Sequence, residues 1–158
     1  MDYYFFDSSG IVKNYVIETG TNWVQSIFNS VATNVIYAVS IAEVEVIAAF
    51  ARRLKGKTLT VADAATASAQ FRYDFVNDLR VVEIEPILLN RAVDLAEKYA
   101  LRGYDAVQLA AALEIYTRLI NLKIDFTVST FTFVSADNEL NSAAQNEGLT
   151  VENPNNYS

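Results

Sequence analysis

Short β-rich runs alternate with helical patterns along this chain, and this alternation limits its fold more than any other feature. The clearest β-rich runs are Tyr3–Phe6, Asn34–Val39 and Phe126–Val134, and apolar residues at helical spacing follow each of them. Val81–Glu85 and Leu149–Val151 are shorter strand candidates. Strands that alternate with helices form a mostly parallel sheet with helices on both faces. We therefore predict a three-layer α/β/α architecture.

The length of the chain, 158 residues, suits one domain. Hydrophobic residues make up 52% of it and charged residues 20%, which is typical of a globular protein. We predict one domain over residues 1–152 and a polar C-terminal tail over 153–158. No apolar run reaches the roughly 18 residues of a membrane-spanning helix, and the N-terminus lacks the basic start of a signal peptide. We therefore expect a soluble, cytoplasmic protein.

The chain contains no cysteine and no histidine. These absences exclude disulfides, thiolate metal sites, thiol nucleophiles, imidazole bases and histidine metal ligands. Any chemistry must therefore use carboxylates, hydroxyls, amines or a metal held by oxygen. The formal net charge of −7 argues against broad electrostatic binding of nucleic acid, although it leaves room for a local basic strip.

Four acidic residues stand where strands end or helices begin. Asp7 follows the first strand, Glu43 lies in the first turn after the second, and Asp137 follows the long β-rich run. Asp105 opens the helix that begins after Gly103. Ligands of a parallel α/β sheet bind outside the carboxyl ends of its strands. We therefore expect Asp7, Glu43, Asp105 and Asp137 at one edge of the sheet.

Helix capping is the simpler explanation for each of these carboxylates taken alone. Carboxylates are common at helix N-termini, and Ser40 with Glu43 fits a capping box. As a set, however, four neighbouring carboxylates would raise one another's pKa unless a cation lay among them. Mg²⁺ and Mn²⁺ prefer oxygen ligands, and a pair of such ions can activate water and stabilise the leaving oxygen of a phosphodiester.

Four segments of the chain resemble, in order, the motifs of PIN domains of the VapC toxin type. They are Asp7–Lys13, Ser40–Glu43, Leu101–Ala110, and Phe133–Asp137 with Leu140, Asn141 and Glu147–Leu149 after it. The third and fourth segments are the specific ones, and the resemblance extends over about residues 3–154. It implies a PIN-like fold and a metal-dependent endoribonuclease that is the toxin of a toxin–antitoxin pair.

Carried over residue by residue, the resemblance implies that Asp7, Glu43, Asp105 and Asp137 are both catalytic residues and ligands of one or two Mg²⁺ or Mn²⁺ ions. Glu43 would act as a ligand or as a base through water. RNA would be the substrate, a cognate antitoxin the partner protein, and a homodimer the assembly.

Further residues are predicted to support this site or its substrate. Ser9 would support Asp7 or a metal-bound water, while Ser135 and Asn141 would support the ligands from outside. The candidate RNA contacts are Arg52, Arg53 and Arg102. A solvated helix end is the slightly simpler explanation for the first two, and a local ion pair explains Arg102 as well as a phosphate contact does.

Other functions remain open to a chain of this pattern. One is a catalytically weak or idle PIN-like module whose acidic edge binds metal or antitoxin. A haloacid-dehalogenase-like phosphatase is disfavoured because Ser9 stands where that class has its second aspartate. A phosphotransfer receiver is disfavoured because Val81–Glu85 ends in Glu85-Pro86. The threonine- and phenylalanine-rich residues 123–133 exceed the expected linker and strand, and we expect a longer edge strand or an interface there.

Overall fold

All five strands of the structure, a computed structural model that describes residues 1–158, run parallel in one sheet. The strands are β1 (Asp2–Phe6), β2 (Asn34–Val39), β3 (Arg80–Val82), β4 (Phe131–Val134) and β5 (Thr150–Glu152). The helices are α1 (Ser8–Tyr15), α2 (Thr21–Phe28), α3 (Ala42–Lys55), α4 (Val61–Asn77), α5 (Pro86–Tyr99), α6 (Gly103–Asn121), α7 (Asn138–Asn146) and a 3₁₀ helix (Pro154–Asn156). The predicted alternation of strands and helices is confirmed.

The strand order across the sheet is β3-β2-β1-β4-β5. The strand β1 is therefore central, with Tyr4 opposite Ile36 of β2 on one side and Thr132 of β4 on the other. The chain first builds the sheet outward through β2 and β3, then crosses to the other side of β1 to add β4 and β5. The direction in which successive strands are added to the sheet therefore reverses between β1 and β4.

The two faces of the sheet are covered by different helices, as the α/β/α prediction requires. Successive side chains of a strand point to opposite faces. Phe5 of β1 accordingly packs with Phe133 in one core, under α5, α6 and α7, where the two ring centroids are 5.9 Å apart. Phe6 points to the opposite core, which is formed with α1, α2, α3 and α4. None of the helices combines the length and the hydropathy that a membrane crossing requires.

The prediction of a long strand over Phe126–Val134 is wrong for its first half, because β4 begins only at Phe131. Asp125 turns the chain before it. The carboxylate oxygen Oδ1 of Asp125 accepts hydrogen bonds from the backbone N–H and the hydroxyl of Thr127, at 2.9 and 2.6 Å. Such a local side-chain bond competes with strand pairing. The strand β3 likewise ends at Val82, short of the predicted Glu85.

The residues predicted as a polar tail, 153–158, pack against α2. Pro154 is buried, and the ring of Tyr157 stacks on that of Trp23 with 4.3 Å between centroids and 4° between planes. The Tyr157 hydroxyl also donates to Glu152 of β5, at 2.8 Å. This segment therefore closes one side of the domain.

Gly20 tests the packing of this C-terminal segment. Gly20 and Gly148 both have positive φ, at 88° and 94°. A Cβ at Gly20 would overlap the backbone oxygen of Pro154, whereas a Cβ at Gly148 meets nothing within 4 Å. Both alanine variants carry the left-handed backbone strain, but only Gly20→Ala adds a steric clash. We expect Gly20→Ala to lower the free energy of unfolding by about 1–3 kcal/mol more than Gly148→Ala.

Urea denaturation of the two variants beside the wild type measures this difference. Equal losses of stability in the two variants would show that the segment 153–158 does not pack on Gly20 in solution.

Candidate active site

A cleft of about 340 Å³ opens at the carboxyl ends of β1 and β4, where the strand order reverses. Ligands of open α/β sheets bind at such a switch point. Its charged lining residues are the carboxylates Asp7, Glu18, Glu45, Asp105 and Asp137 and the cations Lys13, Arg52 and Arg53. The structure thus brings three of the four predicted carboxylates, Asp7, Asp105 and Asp137, to one cleft.

Asp7 is the most buried of these carboxylates, with 4% of its surface exposed. It directly follows β1 and caps α1, because its Oδ1 accepts from the backbone N–H of Gly10 at 2.8 Å. The Ser9 hydroxyl donates to Oδ1 at 2.7 Å, and the Ser135 hydroxyl donates to Oδ2 at 2.7 Å. Both carboxylate oxygens are therefore held in place by neighbours from α1 and from the end of β4.

Burial raises the pKa of Asp7 from 3.8 to about 6. The hydrogen bonds from Ser9, Gly10 and Ser135 act in the opposite direction, and the charge of Asp105 adds to the increase. The hydrogen bonds therefore compensate only part of the cost of burying this charge. A cation beside Asp7 would favour its ionised form.

Asp105 and Asp137 come from two different helix N-termini. Asp137 caps α7, since its Oδ1 accepts from the backbone N–H of Leu140 at 2.9 Å. Asp105 is half-buried in the first turn of α6 and accepts no capping hydrogen bond. Its pKa is raised by burial and then by the charges of Asp137 and Glu45, which places these carboxylates near one another. Capping thus explains Asp137 but not Asp105.

The structure does not bring Glu43 into the cleft, and Glu45 takes its place. The predicted capping box is also absent, because α3 begins at Ala42 with no side-chain cap. Two helical positions correspond to about 200° of rotation, so Glu43 and Glu45 project from opposite sides of α3. Glu45 shares the cleft side with Ala49 and Arg52, four and seven residues further on. This i, i+4, i+7 spacing is the sequence pattern that could have placed Glu45 on the cleft side of α3.

The residues predicted to support the ligands lie around Asp7. Ser9 donates to Asp7 and accepts from the backbone N–H of Ala136 at 2.9 Å. Ser135 accepts from the backbone N–H of Asp137 at 3.0 Å. Asn141 is buried, and its Nδ2 donates to the backbone oxygen of Ser135 at 2.7 Å. These contacts join the end of β4 to Asp7.

The three arginines predicted to contact RNA differ in their ion pairs and in their position relative to the cleft. Arg53 is neutralised by Glu18, at 3.0 Å, and Glu18 also binds the buried Lys13 at 3.1 Å. Arg52 lines the same cleft, is exposed, and forms no ion pair. Arg102 is exposed at the start of α6 outside the cleft lining, and its charge lowers the pKa of Asp105. Sequence reasoning missed Lys13 and Glu18 as parts of this cleft.

The donor set suits a hard divalent cation. Asp7, Glu45, Asp105 and Asp137 offer only oxygen, and none of them forms an ion pair with lysine or arginine. Burial first, and then the charges of neighbouring carboxylates, raise the pKa values of Asp7 and Asp105, and a cation would oppose both effects. No group of three acidic side chains already converges on one point, so one ion held by three of them requires side-chain rotation.

The fold and this cleft place the chain in the class of PIN-domain proteins. Solved structures of similar fold include PAE2754 of Pyrobaculum aerophilum (TM-score 0.62, 18% identity, 95% of this chain and 89% of that one). VapBC2 of Rickettsia felis has a TM-score of 0.59 and 13% identity, over 96% of this chain and 98% of that one. VapC20 of Mycobacterium tuberculosis has a TM-score of 0.60 and 14% identity, over 89% of this chain and 94% of that one. These likenesses concern the fold alone.

Two curated relatives show the family. Ribonuclease VapC45 and Ribonuclease VapC49, from two strains of Mycobacterium tuberculosis, are each 33% identical to this chain over 111 residues. The matched region covers 70% of this chain and 75% of each relative. No family model matches the sequence. The chain belongs to the VapC family of PIN-domain ribonucleases.

The burial of Asp7 predicts how the stability of the metal-free protein depends on pH. Because the folded-state pKa of Asp7 is about 6, above its ordinary 3.8, the folded state binds this proton more tightly than the unfolded state. The resulting stability is present below about pH 4 and is lost as the pH rises through about 6, by on the order of 3 kcal/mol. Asn at position 7 carries no charge and preserves the cap, so we expect Asp7→Asn to be more stable than wild type at neutral pH.

Chemical denaturation of both proteins in EDTA, between about pH 4 and pH 7.5, measures the difference. The free energy of unfolding of the variant should exceed that of the wild type at neutral pH, and the difference should disappear toward pH 4. An advantage that does not change with pH would assign the effect to something other than the Asp7 charge.

Proposed function

We propose that this chain is a Mg²⁺- or Mn²⁺-dependent endoribonuclease and the toxin of a VapBC-type toxin–antitoxin pair. The observation that carries the proposal is the cleft that Asp7, Glu45, Asp105 and Asp137 all line, none of them in an ion pair with lysine or arginine. Membership of the VapC family supports ribonuclease activity, and the all-oxygen donor set supports a hard divalent cation.

Asp7, Asp105 and Asp137 would hold one or two ions, with Glu45 as a further ligand or as a proton acceptor. When bound, a divalent ion supplies an activated water and neutralises charge on the scissile phosphate. Ser9 and Ser135 fix the orientation of the Asp7 carboxylate. Because the chain has no histidine, water in the cleft would supply the proton to the leaving oxygen.

RNA is the proposed substrate. The relatives VapC45 and VapC49 are named ribonucleases, and the solved structure of VapC20 describes that protein as a toxin that cleaves the sarcin–ricin loop. In this chain, Arg52 lines the cleft beside the carboxylates with its charge unpaired. A guanidinium in that position suits the phosphate that precedes or follows the scissile bond. Arg102 would contact the strand outside the cleft.

A cognate antitoxin is the proposed protein partner. The similar structure from Rickettsia felis is a complex of VapB and VapC bound to promoter DNA. We further propose a homodimer as the assembly, and the cytoplasm, where an RNA substrate and an antitoxin would both be met, as the location.

Two neighbouring glutamates test the site directly. We expect the purified chain, free of antitoxin, to cleave total RNA into discrete fragments with Mg²⁺ or Mn²⁺ and to be inactive in EDTA. Glu45→Gln, Asp7→Asn and Asp105→Asn should each reduce the cleavage rate by at least about 100-fold, because each removes a charge that holds the ion. Glu43→Gln makes the same chemical change on the other side of α3 and should retain activity.

Gel analysis of cleaved RNA and growth after induced expression are the measurements. Equal losses in Glu43→Gln and Glu45→Gln would contradict the assignment of Glu45. Cleavage that survives both aspartate substitutions would refute the site. Metal binding without cleavage of any RNA would favour the idle binding module.

Arg52 and Arg53 test the proposed contact with RNA. We expect Arg52→Ala to raise KM for RNA several-fold with little change in kcat or stability, because its charge is unpaired and exposed. Arg53→Ala breaks the ion pair with Glu18 and should lower the thermal midpoint instead. Steady-state kinetics and thermal unfolding of both variants distinguish the two roles, and an unchanged KM in Arg52→Ala would exclude it as an RNA contact.

A further inference from the structure

The carboxylate of Glu45 contacts two polar side chains that come from two other helices. Ser8 lies at the start of α1, Glu45 in the first half of α3, and Gln108 in the first turns of α6. The Nε2 of Gln108 donates to Glu45 Oε1 at 2.8 Å and to Ser8 Oγ at 2.9 Å. Ser8 Oγ itself donates to Glu45 Oε1 at 2.9 Å. The three groups form a closed triangle of hydrogen bonds on the wall of the cleft.

The triangle engages only one oxygen of the Glu45 carboxylate. Both donors reach Oε1, and no hydrogen bond or ion pair involves Oε2. The carboxylate therefore cannot rotate without losing two hydrogen bonds. Glu45 lines the cleft with one oxygen anchored and the other free to bind a ligand.

Gln108 is poorly explained as a core residue. It is 2% exposed, and its carbonyl oxygen Oε1 has no hydrogen-bond partner. The reverse orientation of the amide would set its oxygen against the Glu45 carboxylate, so the arrangement cannot be improved by a flip. A buried acceptor without a partner destabilises a fold, and an apolar side chain of the same size would avoid that cost. The feature that distinguishes glutamine from an apolar residue at this position is the pair of N–H groups that it donates to Ser8 and Glu45.

We propose that Gln108 is a positioning residue that orients Glu45 for divalent metal binding. Its amide and the Ser8 hydroxyl hold Glu45 Oε1, and Glu45 Oε2 is thereby directed to the cation. The proposal rests on the function proposed above, because it concerns one ligand of that metal site. Gln108 itself touches neither the metal nor the RNA.

Direct measurement of Mn²⁺ binding tests this role apart from catalysis. Gln108→Met keeps the side-chain volume and removes both N–H donors and the orphan carbonyl. We expect the Mn²⁺ dissociation constant, measured by electron paramagnetic resonance of free Mn²⁺, to rise about 10- to 100-fold, the usual effect of losing such an orienting partner. The thermal midpoint of the metal-free variant should equal or exceed that of wild type. Ser8→Ala, which leaves the amide donor in place, should weaken binding less.

Gln70→Met is the matched control. Gln70 also donates to a carboxylate, Asp74, at 2.7 Å, but it lies on α4 outside the cleft. The control should bind Mn²⁺ as wild type does. Glu45→Gln in the same titration shows whether Glu45 binds the metal at all.

The outcomes separate the two proposals. If Glu45→Gln weakens Mn²⁺ binding but Gln108→Met does not, the positioning role is overturned and the metal site stands. If Glu45→Gln has no effect on Mn²⁺ binding, the positioning role is overturned, while the proposed function stands with Glu45 as a proton acceptor. If the wild type binds no Mn²⁺, both proposals fail together. A loss of affinity in Gln108→Met that comes with a clear fall in the thermal midpoint assigns Gln108 a structural role and also overturns the inference.

Discussion

The buried carboxylate of Asp7 joins the end of the central strand to α1 and to the end of β4, beside the cleft. It ends β1, caps α1 through Gly10, and accepts a hydroxyl from Ser135 at the end of β4. These hydrogen bonds hold the two sides of the switch point together. Their energy does not fully offset the burial of a charge, as the raised pKa of Asp7 shows. The residue that makes this central connection is therefore also a buried charge with an incompletely compensated cost, and a cation in the cleft would lower that cost.

Most of the fold could be predicted because strand and helix periods differ strongly along the chain. Phe5 and Phe6 point to opposite cores, as a strand covered on both faces requires. The residues before Phe131 misled the prediction because threonine and phenylalanine favour strands wherever they occur. Asp125 overrides that propensity with two short-range hydrogen bonds to Thr127. Tyr157 was assigned to a polar tail because its partner, Trp23, is distant in sequence.

The candidate site was partly predictable for a different reason. Asp7 and Asp137 directly follow strands that lie side by side, so topology alone brings them together. The choice between Glu43 and Glu45 depends on how α3 is rotated about its axis. The resemblance of Ser40–Glu43 to the second motif pointed to Glu43, which the structure leaves outside the cleft lining. Gln108 lies within the third motif-like segment, Leu101–Ala110, but its contacts depend on the placement of three helices at once. Local patterns specify which edge carries the site, whereas helix rotation selects the side chains that reach it.

The distribution of charge in the cleft would couple the proposed RNA binding to the proposed metal binding. On the basic side, Glu18 already neutralises Arg53 and the buried Lys13, which leaves Arg52 as the unpaired cation of the lining. On the acidic side, four carboxylates repel a phosphate, and the whole chain carries −7. One arginine is too little to offset that repulsion at the short distances of a cleft. One or two divalent ions on the acidic side would offset part or all of that negative charge. The metal would thus be needed to admit the substrate as well as to activate water, and RNA would bind tightly only to the loaded site.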